Sequence, residues 1–227
     1  IMADPRIVEN PKVINTITYR ELRELSYMGA TVLHEDAIFP VQIAGIPINI
    51  KNTDRPQDRG TMIVAETPDY DTVNIITGIA GRKGFTAINI SKDLMNVEVG
   101  FGRRVLGVLE KKKISFEHLP SGIDTMSIIV KSSELSGRLD YILNGIQQEA
   151  CPDSVSVEEG IALIAVVGRA MVKSKGTAAK VFKAVAEADV NVKMIDQGSD
   201  ELNIIIGIDE NDFEKTIKAI YAEFIRP

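Results

Sequence analysis

Cysteine and histidine are nearly missing from this chain of 227 residues. Cys151 stands alone, so no intrachain disulfide can form and a thiolate metal cluster is excluded. The two histidines, His34 and His118, leave little material for a zinc site. No apolar run approaches the roughly 20 residues that a membrane-spanning helix needs, and the first residues are not a signal peptide. A strong excess of either charge is lacking too: 26 basic and 32 acidic side chains leave a net charge of −6. Mild acidity argues against nucleic acid or an anionic membrane as the main partner, because both select basic surfaces. These absences point to a cytoplasmic protein without a metal site.

What remains is the composition of a folded globular chain, 44% hydrophobic and 26% charged, with too much apolar material for disorder to be its main state. The length allows one large domain or two to three small ones. The chain opens Ile1-Met2-Ala3-Asp4-Pro5-Arg6, which reads as the middle of a loop.

An internal repeat organises the larger part of the sequence. Displacing the chain by 76 positions aligns residues 84–149 with 160–225, bringing Gly84 onto Gly160, Met95 onto Met171 and Gly100 onto Gly176. In the same register Gly122 meets Gly198 and Ile128-Ile129 meet Ile204-Ile205. Self-similarity at a fixed period marks a duplicated structural unit. Each copy has β-rich residues first (87–90 and 161–167), then a Gly-containing loop and a helix carrying apolar residues at helical spacing: Val105, Leu106, Val108 and Leu109, or Val181, Phe182 and Val185. Second strands are expected at Ile114–Leu119 and Val190–Ile195, and third strands at Thr125–Val130 and Glu201–Ile206. Second helices follow, with Ser132 or Ser133 as one N-cap and Asp209 as the other. Val155–Val157 offers copy one a fourth strand. Copy two has none of its own, and Thr72–Ile79 is the segment available to supply it, which would insert copy one within copy two. The fold class is α+β, with two ferredoxin-like βαββαβ units. Copies of this size are marginal alone and are expected to pair.

The first 65 residues differ. Tyr19–Met28 reads as an amphipathic helix with Leu22, Leu25 and Met28 on one side and Gly29 at its end. A second helix is expected over Asp36–Ala44, and strands over Ile46–Ile50 and Thr61–Val64. So few short elements make a poor core. They are a piece of a larger α/β domain or a segment docked on the repeats.

Met2-Ala-Asp-Pro-Arg6, Gly29-Ala-Thr-Val-Leu-His34, Ile46-Pro-Ile-Asn-Ile-Lys-Asn52 and Gly60-Thr61 together resemble the end of the catalytic domain of aspartate kinase. The repeats resemble that family's paired ACT regulatory domains, the first inserted in the second. The resemblance implies a tail of an α/β amino-acid-kinase domain over 1–66, a first ACT domain over 84–158 and a second over 70–80 with 159–227. It implies transfer of the γ-phosphoryl group of MgATP to the β-carboxylate of L-aspartate, the first step toward lysine, threonine and methionine. No catalytic residue of the family falls in this stretch, so the fragment alone is expected to be inactive and to bind no cofactor. Homodimers through the ACT domains are implied, with a dimer of dimers as the larger form.

Carried over residue by residue, the resemblance gives Arg6 and Thr31 nucleotide-side positions. Thr31 stands where many relatives have a lysine, and it cannot supply that charge. His34 matches a family histidine and reads as a structural hydrogen-bonding group. In lysine-sensing relatives the effector is surrounded by the positions of Met95, Glu98, Phe101, Gly102, Ser115, Phe116, Glu117, Ser121 and Gly122. The chemistry agrees. A carboxylate suits the N–H groups at a helix start, glycine permits close backbone approach, and an ammonium suits Glu117. The competing reading makes Met95 and Phe101 core and Glu117 a solvated strand residue. Lys193 replaces Glu117 in copy two, with Lys173 and Lys175 near its loop. That unit is therefore expected to be structural. Lysine is the leading effector and threonine the alternative. Two other functions fit the same sequence, a non-catalytic amino-acid-sensing subunit started internally at Met2 and a ligand-free dimerisation scaffold.

Overall fold

The computed structural model describes residues 1–30, 35–67 and 74–225, with the backbone alone for 35–37. Thr31 and His34, the end of the linker 66–69, and Thr72 lie outside the described residues. The chain divides into two compact units, residues 1–82 with 163–227, and residues 83–162. The second is inserted in the sequence of the first.

In the first unit, β1 (Thr16–Thr18) leads directly into α1 (Tyr19–Tyr27). Thr18 ends the strand and caps the helix: its hydroxyl receives the N–H of Glu21, while the Glu21 carboxylate receives the Thr18 N–H. This reciprocal box satisfies two of the N–H groups that a helix start leaves over. Leu22 and Leu25 are buried on the inner face of α1, and Gly29 follows at φ 104, a conformation that favours glycine. Next come α2 (Glu35–Ile43), β2 (Ile48–Ile50) and β3 (Thr61–Val64). β3 is central, parallel to β1 and antiparallel to β2. The three-residue β1 carries no alternation long enough to be read in the sequence.

The repeat is written in the backbone. β4 (Gly78–Ser91) and β6 (Ser154–Val167), 14 residues each, begin 76 positions apart. So do α3 (Phe101–Lys111) and α6 (Thr177–Glu187). Positive φ recurs at the same spacing: Gly84 with Gly160, Gly100 with Gly176, Lys113 with Asp189. Beyond the helices the spacing becomes 78. β5 (Thr125–Lys131) corresponds to β8 (Asn203–Asp209), because the turn leading into β8 is two residues longer and holds Glu201 at φ 54. The ungapped register thus pairs the third strands two residues out of step, but this even shift keeps each side chain on the same face.

In the inserted unit the strand order is β5-β4-β6, with Phe85 opposite Lys131 and Ser91 opposite Thr125 in an antiparallel ladder. The expected strand Ile114–Leu119 is reduced to isolated bridges, His118 with Ile129 and Ser121 with Met126. Pro120 lies between them and has no N–H to continue the ladder. The expected second helix is split into α4 (Ser132–Leu135) and α5 (Leu139–Ala150) by Gly137 at φ 67, and Lys131 rather than a serine occupies the cap position. α3 and α5 pack together over the sheet. Ile88, Val105, Ile128, Ile142 and Ile146 are fully buried between the layers.

The outer unit repeats the plan with order β4-β6-β8, then β7 (Val192–Asp196) at the edge. Its last helix, α7 (Phe213–Ile225), follows a short 3-10 turn begun by Asp209, whose carboxylate accepts the Asn211 N–H. The strand that completes this sheet starts at Gly78, later than the Thr72–Ile79 expectation. Here β4 and β6 are covered on both faces. A Cβ at Gly81 would lie 2.7 Å from Phe213 of α7, and one at Gly78, on the opposite face, 3.0 Å from Leu25 of α1. Such double cover explains why Leu163–Val167 is an unbroken buried apolar run. Among the described residues no helix is long and apolar enough to cross a membrane.

Candidate functional site

In the inserted unit the loop after β4 forms a short 3-10 turn, Met95–Val97, and delivers the chain to α3 through Gly100 at φ 82. No side chain caps α3; the Phe101 N–H is taken by the Glu98 carbonyl at 3.2 Å, and the helix start keeps the electropositive character of its end. Of the residues expected to surround an effector, Phe101 is 3% exposed and belongs to the core, and Met95 packs against that core. Glu98 is bound by Arg104 and Lys92. Arg104 also stacks over the Phe101 ring at 5.9 Å. The helix start is thereby crossed by an ion cluster that lies over an aromatic side chain.

Ser115, Phe116 and Glu117 follow the turn after α3. Phe116 is 44% exposed and, with Ser115, borders a groove of about 680 Å³ along the flank of α3. Glu117 fixes its position by donating its N–H to Ile129, and its side chain, 5% exposed, pairs with Lys131 at 3.1 Å. Ser121 and Gly122 form the next turn, where the Ser121 hydroxyl donates to the Leu119 carbonyl and the Gly122 N–H to Thr125.

The matching loop of the outer unit is built alike and charged differently. Gly176, at φ 82, opens α6 without a side-chain cap. Ser174 stands where Glu98 does and Thr177 where Phe101 does, so the ion cluster and its aromatic support have no counterparts. A cleft of about 500 Å³ lies here, bordered by Met171, Ser174, Thr177, Gln197 and Gly198. The Glu117–Lys131 pair recurs with its polarity reversed, as Lys193 and Asp209 at 3.6 Å. The Asp209 carboxyl is held below its usual range by the Asn211 N–H first, and by Lys193 as a smaller contribution.

The amino-terminal segment supplies two further charged features. Arg6, with its side chain 86% exposed, forks onto Asp4 at 2.6 to 3.1 Å and holds the Asp4 carboxyl below its usual range by that hydrogen bonding. Glu21, by contrast, is wholly buried. Besides the Thr18 N–H and hydroxyl it receives the hydroxyl of Thr77, the backbone N–H of Arg169 at 3.1 Å and the Arg169 guanidinium at 2.9 Å. Burial pushes the Glu21 carboxyl up, and the hydrogen bonds from Thr77, Thr18 and Arg169 outweigh it, so the group lies below its usual range. Nothing in the sequence around Glu21 announces this junction, because its partners lie 56 and 148 residues away. The only local sign is a threonine three residues before an acid at a helix start.

The amino acid kinase family matches residues 1–52 and the ACT domain family residues 164–224. Aspartokinase 3 of Bacillus subtilis is 45% identical over 222 residues, which is 97% of this chain and 48% of the relative. The chain belongs to the aspartokinase family. The crystal structure of Clostridium acetobutylicum aspartate kinase, described as an allosteric enzyme, aligns with a TM-score of 0.94 at 54% identity, over 99% of this chain and 52% of that one. Aspartokinase III of E. coli, solved in complex with lysine and aspartate, aligns at 24% identity with a TM-score of 0.76, over 99% of this chain and 49% of that one. That likeness is one of fold. The chain spans about half the length of the aspartokinases it matches.

Within an aspartokinase the two ferredoxin-like repeats are ACT units, and the segment with β1, β3 and β2 is the tail of the amino acid kinase domain. The nucleotide-side residues carried over from the family are Arg6, engaged by Asp4, and Thr31, outside the described residues. Among the described residues no three His, Cys, Asp or Glu side chains converge as metal ligands. These residues by themselves do not fit a magnesium–nucleotide site.

Proposed function

We propose that this chain is the regulatory half of an aspartate kinase, an enzyme that phosphorylates the β-carboxylate of L-aspartate with MgATP, and that its first ACT unit takes up a feedback amino acid, lysine foremost. In this reading residues 1–66 end the kinase domain, 84–158 form the first ACT domain, and 70–80 with 159–227 form the second. The parent enzyme assembles as a homodimer through these units, with a dimer of dimers as the larger form. The observation that carries the reading is the uncapped start of α3 behind Gly100, which offers a carboxylate backbone N–H groups and the positive end of a helix. Glu117 supports a cationic effector whose ammonium takes the place of Lys131, its ion-pair partner in the structure. The shared Glu21 junction supports a route for the signal: it ties α1, from the kinase tail, to the segment that follows β6 in the second repeat. An effector shifts the enzyme only by its difference in affinity for two states.

Calorimetry with lysine tests the site. Glu117→Ala is expected to weaken binding about tenfold, since hydrogen bonds to charged groups contribute roughly 1.5–3 kcal/mol. Unchanged lysine affinity in that variant would remove Glu117 from the site. A second reading is favoured by the cleft beside Gly176. Its Ser174, Thr177 and Gln197 suit an uncharged, hydroxylated amino acid such as threonine, and Thr177→Val is then expected to weaken threonine binding with lysine binding intact.

A further inference from the structure

In the loop that opens α3, Glu98 spreads its carboxylate over two cations: Oε1 receives the Arg104 guanidinium, and Oε2 lies 3.5 Å from the Lys92 ammonium. Both cations keep anchors that do not involve Glu98. Lys92 donates to the Cys151 carbonyl at 3.2 Å. Arg104 donates to the Val99 carbonyl at 3.4 Å and lies over the Phe101 ring. The Glu98 side chain has no further hydrogen bond or ion pair among the described residues. Its backbone is fixed separately, the N–H donating to Met95 and the carbonyl accepting the Phe101 N–H. The carboxylate, already 35% exposed, can therefore swing into water while the loop and both cations stay in place. In the register of the repeat, Lys92, Glu98 and Arg104 correspond to Gly168, Ser174 and Lys180. α6 nonetheless begins behind a glycine at φ 82 as α3 does. The plan of the unit does not depend on the ion cluster.

We propose that Lys92 and Arg104 form the seat for the carboxylate of an amino-acid effector, and that Glu98 is a built-in competitor which the effector displaces. The proposal rests on the reading of this loop as the effector site and adds what holds its occupancy down. A carboxylate is the group these two donors already bind, and an incoming one makes the same charge-assisted hydrogen bonds. The exchange keeps the bonds at the seat and releases Glu98 to water. Being tethered, the competitor cannot be diluted away. Only molecules with an open seat bind, so the apparent Kd rises by the reciprocal of the open fraction. Glu98 then sets the effector concentration at which feedback begins.

Calorimetry with lysine on the 227-residue chain tests the competitor. Removing a negative charge from the surroundings of a cationic ligand ordinarily weakens binding. Glu98→Gln is instead expected to bind lysine about fivefold more tightly, the closed-to-open ratio that a partly exposed ion pair sustains. Arg104→Met removes part of the seat and is expected to raise the Kd roughly tenfold. Adding Glu98→Gln to Arg104→Met then gains much less than it does alone, because the two residues share one interaction. Lysine affinity unchanged or lowered in Glu98→Gln overturns the competitor. Parental affinity in an Arg104→Met protein with a native spectrum overturns the seat. Either result leaves the Glu117 assignment standing. Absence of lysine binding to the parent and to Glu98→Gln alike removes the effector reading itself, and this proposal with it.

Discussion

Glu21→Ala is expected to destabilise the outer unit by about 3–5 kcal/mol, the range measured when one member of a buried ion pair is removed. Several losses coincide. The Arg169 guanidinium, 17% exposed, loses its counter-charge. The Thr77 hydroxyl and the backbone N–H groups of Thr18 and Arg169 lose an acceptor in a buried place, and α1 loses one half of its capping box. Glu21→Gln keeps the shape and some acceptors and is expected to lose less. Urea unfolding read through hydrogen exchange of β8 amides measures the outer unit directly. An effect within 0.5 kcal/mol, the usual scatter of surface substitutions, would mean that the junction contributes nothing to stability. The pH dependence has a definite sign. A carboxyl whose folded pKa lies below its unfolded value contributes stability above the unfolded value and loses it as pH falls through the folded one. The advantage of the parent over Glu21→Gln is therefore full at neutral pH and shrinks as the pH drops below the ordinary glutamate range.

The second large effect is expected at Gly168, where alanine should destabilise by about 3 kcal/mol, the upper part of the range for overpacking. Conformation is not the obstacle, since φ is 178 and any residue adopts extended backbone. Space is. A Cβ there would sit 2.5 Å from the Ile75 carbonyl oxygen, 2.7 Å from the Ile76 Cα and 3.0 Å from the Thr77 nitrogen. All three are backbone atoms, which cannot swing aside as a side chain does. Separating the segments stretches the 2.7 Å bond from Thr77 N–H to the Val167 carbonyl and draws the Thr77 hydroxyl away from Glu21. The two substitutions thus damage one junction. In the double variant the combined loss is expected to fall short of the sum, because residues that share partners are not additive. A Gly168→Ala protein with parental stability would show that residues 75–77 yield freely.

How much of this was legible in the sequence depended on the range of the interactions. The repeat was readable because apolar residues recur in phase over an entire unit, and the backbone matches it down to positive φ at Gly84 and Gly160. α1 announced itself by Leu22, Leu25 and the terminal Gly29. The strand at 114–119 misled because its residues have the right composition, and hydrophobicity does not register that Pro120 lacks a donor. The two-residue offset in the third strands escaped because an even shift preserves the inside–outside pattern that an alignment by hydrophobicity detects. At the site, the glycine that opens α3 was visible. Phe101 in the core was the competing reading, and the burial of its ring agrees with it; that Arg104 folds back onto Glu98 was not visible, since it depends on how α3 meets the sheet. The Glu21 junction was out of reach altogether, as it unites segments distant in the chain.

The reversed ion pairs, Glu117 with Lys131 and Lys193 with Asp209, bear on how the chain avoids confusing its own halves. Two homologous copies on one polypeptide invite a newly made strand of one to join the sheet of the other, a known failure of repeated domains. Here such an exchange would set Glu117 against Asp209 or Lys193 against Lys131, like charges in place of opposite ones, which is unfavourable. The reversal thus sets a like-charge cost on the exchanged pairing that the native pairing does not carry.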